Sequence, residues 1–93
     1  MPAYWLARAK VNDAVEYKRY TDLVPAIIEK YDGKVLARGG KQHQLEGPDY
    51  FLRHIVIEFP SLERAVACHQ SPEYQEARLF RLNGVGDNEL IIV

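Results

Sequence analysis

Apolar and polar positions change period along the chain, and each change marks an element. From Ala3 to Val11 the period is two. Ala3, Trp5, Ala7, Ala9 and Val11 share one face, and Tyr4, Leu6, Arg8 and Lys10 the other. Both faces carry apolar groups near the start, which predicts a strand covered on both sides, because a strand wetted on one face alternates more cleanly. At Asp13 the period becomes helical. Asp13 and Glu16 form an acidic variant of the capping box, and Tyr17, Tyr20, Val24, Ile27, Ile28 and Tyr31 follow at helical spacing. Pro25 lies inside this pattern and predicts a kink or a division, since it lacks a backbone donor. Asp32-Gly33 ends the helix, with Gly33 suited to a left-handed position. Lys34–Leu45 reads as extended, with Gly39-Gly40 as a bulge or bend within it. Glu46 to Tyr50 is turn chemistry. Phe51–Phe59 is the strongest strand, and its β-branched centre, Ile55-Val56-Ile57, predicts a central place in the sheet. Ser61 caps a short helix, and Ser71-Pro72-Glu73 opens another, with Tyr74, Ala77 and Arg81 on one stripe. Asn83-Gly84 is a stop, and Leu90–Val93 closes the chain as a strand.

The resulting order, β-α-β-β-α-α-β, predicts an α+β fold of the split βαβ, ferredoxin-like kind. Right-handed crossovers place the first and third strands in the middle of a four-stranded antiparallel sheet, with all helices on one face. The opposite face is left without cover from its own chain. Exposed apolar faces mark interfaces, so a two-fold homodimer with sheets packed face to face is expected.

Composition narrows the partners. The chain has 93 residues, 47% hydrophobic and 27% charged, which fits one folded domain rather than a disordered segment. Twelve basic residues against thirteen acidic give a net charge of −1, without the basic footprint that nucleic acid requires. No apolar run is long enough to span a membrane, and the first residues lack the pattern of a signal peptide, so a cytoplasmic location is expected. One cysteine, Cys68, excludes an intramolecular disulfide and a multi-cysteine zinc site.

Several strings carry a resemblance: Pro2-Ala3-Tyr4-Trp5, Ala37-Arg38-Gly39-Gly40, Val56-Ile57-Glu58-Phe59-Pro60-Ser61 and Ser71-Pro72-Glu73-Tyr74-Gln75. Together, and over essentially the whole chain, they resemble the Domain of Unknown Function 1330 family of the dimeric α+β barrel superfamily. The resemblance implies a ferredoxin-like protomer and a dimer whose two sheets form a barrel. In related families the cleft between helices and sheet holds small molecules or haem, or supports cofactor-free oxygenation or isomerisation. Members of the family often carry an aromatic pair where this chain has Cys68-His69, which implies a more polar pocket if that pair lines it.

Arg38 and Glu58 form the sharpest candidate pair. With the hairpin folded about Pro48 they fall roughly opposite each other, and a bulge at the two glycines would shift that register by one. A carboxylate within the third strand must be paired or become protonated. One reading has Arg38 holding a substrate carboxylate or enolate, with Glu58 orienting it or acting as base. The other is a structural ion pair at the sheet or dimer interface. Arg8, of the parity of Tyr4 and Leu6, either joins this group or extends to the strand end. His43, His54 and His69 have no metal-ligand spacing, and no metal or other cofactor is expected. His54 and His69 are candidates for a proton carrier near neutral pH, or for structural histidines. Cys68 and His69 are adjacent on a helix and do not face each other. Tyr17 and Tyr20 are the tyrosines best placed to bind a planar ligand, against the plainer reading of an aromatic core stripe. Three functions stay open. They are a metal-free enzyme of proton transfer, oxygenation or isomerisation, with Arg38 and Arg8 stabilising an anion, Glu58 or His54 carrying the proton and Tyr17, Tyr20 and His69 contacting the substrate, a ligand-binding or sensing module with the same cleft and a small organic ligand but no turnover, and a dimer whose polar groups are structural.

Overall fold

The computed structural model describes residues 1–93. Strand β1 (Ala3–Val11) leads into helix α1 (Ala14–Lys30), then β2 (Lys34–Arg38), β3 (Arg53–Phe59), α2 (Leu62–Gln70), α3 (Pro72–Arg78), a 3-10 turn (Leu79–Arg81) and β4 (Gly86–Ile92). The sheet is antiparallel in the order β2-β3-β1-β4, so β1 and β3 are central as the sequence predicts. The caps act where expected. Asp13 accepts from the Glu16 amide, Ser61 from that of Arg64 and Ser71 from that of Tyr74, each satisfying an orphan donor at a helix start.

Register sorts the side chains of the sheet. Trp5 lies between Ile57 and Ile92, Ala7 between Ile55 and Leu90, and Ala9 between Arg53 and Asn88. These face the helices. Leu6 lies between Val56 and Ile91, and Arg8 between His54 and Glu89, on the open face. The main core forms on the helix side, where Trp5, Ile57 and Phe59 meet Tyr20, Ile28, Ala65, Cys68 and Tyr74. Trp5 is its hub, with its ring 5.8 Å from Phe59 and 5.2 Å from Tyr74.

Five local expectations need correction. The second extended stretch ends at Arg38, because Gly39 and Gly40 both take positive φ (60° and 77°) and turn the chain out of the sheet. The irregularity in β2 lies three residues before Gly39. Val35 pairs with Ile57 and Ala37 with Val56, leaving Leu36 as the extra residue of a bulge. The left-handed residue after α1 is Asp32 (φ 65°), not Gly33. Gly33 is required for space, since a Cβ there would sit 2.5 Å from Ile28 Cγ2 and 2.9 Å from the Phe59 ring. Helix α1 passes through Pro25 without division, its inner face fixed by the buried Tyr17, Tyr20 and Ile28. The strongest strand starts at Arg53 rather than Phe51.

Candidate functional site

The helix α1 meets the sheet tightly at its two ends. Ile28 packs near Gly33 and Phe59, and Tyr17 lies close over Gly86. Between these contacts the floor is made of small side chains, Ala7 and Ala9, and the gap becomes a cleft of about 270 Å³. That is near the lower end of the range for small-molecule pockets. Tyr17, Tyr20, Thr21 and Pro25 border it from α1, Val35 and Arg38 from β2, Arg53 and Ile55 from β3, and Asn88 and Leu90 from β4. Pro25 has no N–H to give the Thr21 carbonyl, and both residues belong to this wall.

Its electrostatics are lopsided. Arg38, Arg53 and Arg81 all border the cleft, and none of them makes an ion pair. The one carboxylate at its edge, Glu89, is held by Arg8 at 2.8 Å. Arg81 is only 6% exposed, and the Nε atoms of both Arg53 and Arg81 are buried without a partner. Arg81 donates one long bond, 3.4 Å, to the Tyr74 hydroxyl and lies 5.1 Å from the Tyr20 ring centroid. Burial opposes its charge, and the Tyr20 and Tyr74 oxygens more than offset that, so the guanidinium stays cationic. A guanidinium cannot escape desolvation by losing its proton at any ordinary pH, so it can be relieved only by an acceptor.

The aromatic wall is a hydrogen-bonded chain. The Tyr20 and Tyr74 hydroxyls are 2.7 Å apart in the core, and Asn88 Nδ2 donates to the Tyr17 hydroxyl at 2.9 Å. The Oδ1 of Asn88 is buried and unpartnered. Burial, then the neighbouring Tyr74, pushes the Tyr20 phenol well above its ordinary range. Tyr20 therefore stays protonated at neutral pH and can act as a donor, not as a base.

The candidate residues read from the sequence divide between two faces. Arg38, Tyr17 and Tyr20 border the cleft. Glu58 faces the other way, and the expected Arg38–Glu58 opposition does not form. The bulge at Leu36 sets Arg38 across from Ile55, while Glu58 lies across from Lys34 and Tyr4. Arg8 and His54 take the open face by register, yet Arg8, with Glu89, also reaches the rim of the cleft that Arg38 borders. Arg8 pairs with Glu89 and covers the Phe51 ring at 4.6 Å. His54 Nε2 lies 3.2 Å from the Phe51 carbonyl. His69 stacks behind the cleft, against Trp5 and Tyr74, with Gln70 at its Nδ1. Cys68 is buried in the core, and burial raises its thiol to about 11.

Sequence reasoning left out Arg53, Arg81 and Asn88 as site residues. Each was visible as a polar residue in an apolar pattern. Arg53 shares its parity with Ile55, Ile57 and Phe59, and Asn88 shares its parity with Leu90 and Ile92. Arg81 continues the stripe of Tyr74 and Ala77. A polar residue at a core position is the informative exception.

The fold has solved counterparts. A protein of unknown function from Rhodopseudomonas palustris is 25% identical, covering 99% of this chain and 80% of its own, with a TM-score of 0.81. A dimeric ferredoxin-like protein of unknown function from Bacteroides fragilis is 13% identical, covering 99% and 94%, with a TM-score of 0.67. SnoaB, a cofactor-independent oxygenase from Streptomyces nogalater, is 12% identical, covering 99% and 90%, with a TM-score of 0.68. The last two share the fold alone. No curated protein matches the chain. The family model of the Domain of unknown function (DUF1330) matches residues 2–93, and the chain belongs to that family.

Proposed function

We propose that this protein binds a small organic anion in the cleft between α1 and the sheet. The observation that carries the reading is Arg81. It is a buried, permanently charged group with no carboxylate beside it, in a cleft that holds two further unpaired arginines. A charge-assisted hydrogen bond is worth about 1.5–3 kcal/mol, so an incoming anion has three cations to engage and little water to displace from Arg81. Apolar groups around them suit a ligand with an apolar or aromatic body. Arg38, Tyr17 and Tyr20 act here as binding groups.

Binding fits the geometry better than proton-transfer catalysis. The proton carriers expected from the sequence, Glu58 and His54, face away from the cleft, and Tyr20 holds its proton too firmly to serve as base. Turnover without a metal is a second reading, favoured by Tyr20 and Arg81, which border the cleft with Tyr74 behind them. These donors suit an oxygen that gains negative charge during reaction.

The binding unit in this reading is a homodimer joined through the open sheet face. Leu6, Val56 and Ile91 form an apolar band there, with Leu6 38% and Ile91 59% exposed, around a shallow hollow of about 430 Å³. A second copy related by a two-fold axis would cover it. Glu58, His54 and the Arg8–Glu89 pair then belong to the interface.

A thermal-shift screen of small carboxylates against their neutral amides tests the binding reading. Carboxylates at a hundred times their Kd are expected to add about 2.7 kcal/mol, a rise on the order of ten degrees for a domain of this size. The amides are expected to give almost none. Equal shifts for both series would defeat the proposal.

A further inference from the structure

The three arginines are not one cluster, and their separation says something about the ligand. Arg38 and Arg53 stand together at the β2–β3 side. Arg38 lies across from Ile55, two residues from Arg53, and Arg53 Nη1 approaches to 3.9 Å of the Cβ position at Gly39. Arg81 belongs to the other side. It lies on Tyr20, Tyr20 meets Tyr17 edge-on at 5.4 Å, and Tyr17 is hydrogen-bonded to Asn88 of β4. Arg53 and Asn88 flank Ala9 in a single row across β3, β1 and β4. Two strand spacings put those backbones about 10 Å apart. Between the two charged ends the floor is Ala7 and Ala9, which carry no polar side-chain atoms.

Resting on the reading of the cleft as an anion site, we infer that its ligand is a small organic dianion. Its two acidic groups sit at opposite ends of a short apolar body, one on Arg38 and Arg53 and the other on Arg81. The unpaired end of the Asn88 amide takes a neutral polar group beside the second acid. A single carboxylate on Arg38 and Arg53 would leave Arg81 buried and unpaired, and one on Arg81 would leave the Arg38–Arg53 end without an anion. A ligand with two adjacent acids would do the same. The spacing thus selects for separated charges rather than for total charge.

Calorimetric titration of the full chain with terephthalate, phthalate, benzoate and benzamide, and with the flexible pair glutarate and butyrate, tests this. Terephthalate or glutarate is expected to bind at least tenfold more tightly than benzoate or butyrate, and terephthalate more tightly than phthalate. Arg81→Met is expected to remove that tenfold advantage while benzoate binding at the Arg38–Arg53 end persists. Arg38 is exposed, so Arg38→Met leaves folding intact and supplies an independent test. It should cost both terephthalate and benzoate several-fold. Should the monoanions equal the dianions, the dianion inference is overturned and the anion site stands. Should no acid bind more tightly than benzamide, the anion site falls with it.

Discussion

Single atoms decide several outcomes here. Gly33 takes no unusual φ, yet a methyl group there would meet both Ile28 and Phe59 inside van der Waals contact. Gly33→Ala is expected to lower stability by about 1–3 kcal/mol, the usual cost of overpacking, measured as a fall in denaturation midpoint. Cys68 lies fully buried and its thiol is held at about 11, so at neutral pH it lacks both access and thiolate. Iodoacetamide is expected to leave it unmodified until denaturant unfolds the chain, and rapid labelling of the native protein would contradict the core position given to it. At this scale the sequence was informative where chemistry is local. Asp13, Ser61 and Ser71 announce their caps by type and position alone. Arg53 and Arg81 were harder, because a strand or helix pattern shows which face a residue takes. Whether that face is filled by packing or left as a cleft depends on Ala7 and Ala9, whose small size is a statement about distant partners.

Elements add register, which no single residue reveals. Gly39 and Gly40 are the irregular point of β2 by residue type, but the bulge forms at Leu36. A bulge swaps the two faces for everything beyond it, and Arg38 is turned toward the helices for that reason. The strand order, the helix layer and the end of each helix were legible from period and punctuation. The partner of Arg38 was not, since it depends on a one-residue count across a connection of fourteen residues between β2 and β3. Contacts between elements also set a pH response. His69 of α2 is pressed against Trp5 of β1 and Tyr74 of α3, and burial, then Arg78 and Arg81, lowers its tendency to protonate. The unfolded chain binds that proton more readily than the folded one, so stability falls as pH drops below about 6.5 and levels off once the folded imidazole titrates. His69→Phe keeps the stacking and is expected to flatten this part of the melting-temperature profile. An unchanged slope would assign the response elsewhere.

At the scale of the molecule the two faces of one sheet carry different duties in the reading proposed above. The helix side holds the anion cleft, and the open side meets a second copy. Ile91→Lys places a charge on the open face of both protomers at once, so each dimer joined through that face would bury two. It is expected to weaken association at least tenfold, and to shift sedimentation at micromolar concentration from twice the chain mass toward one. The Arg8–Glu89 pair is half exposed in the single chain and contributes little there. Covered by a partner it would matter more, so Glu89→Gln is expected to lower dimer affinity more than protomer stability, read from concentration-dependent melting. Trp5 gives all of this an optical consequence. It is the chain's lone indole, seated at once among the aromatic rings of the core and on the lining of the anion cleft. Light absorbed by the six tyrosines drains toward it, so the colour and yield of its emission report on a guest arriving among the arginines without any dye attached.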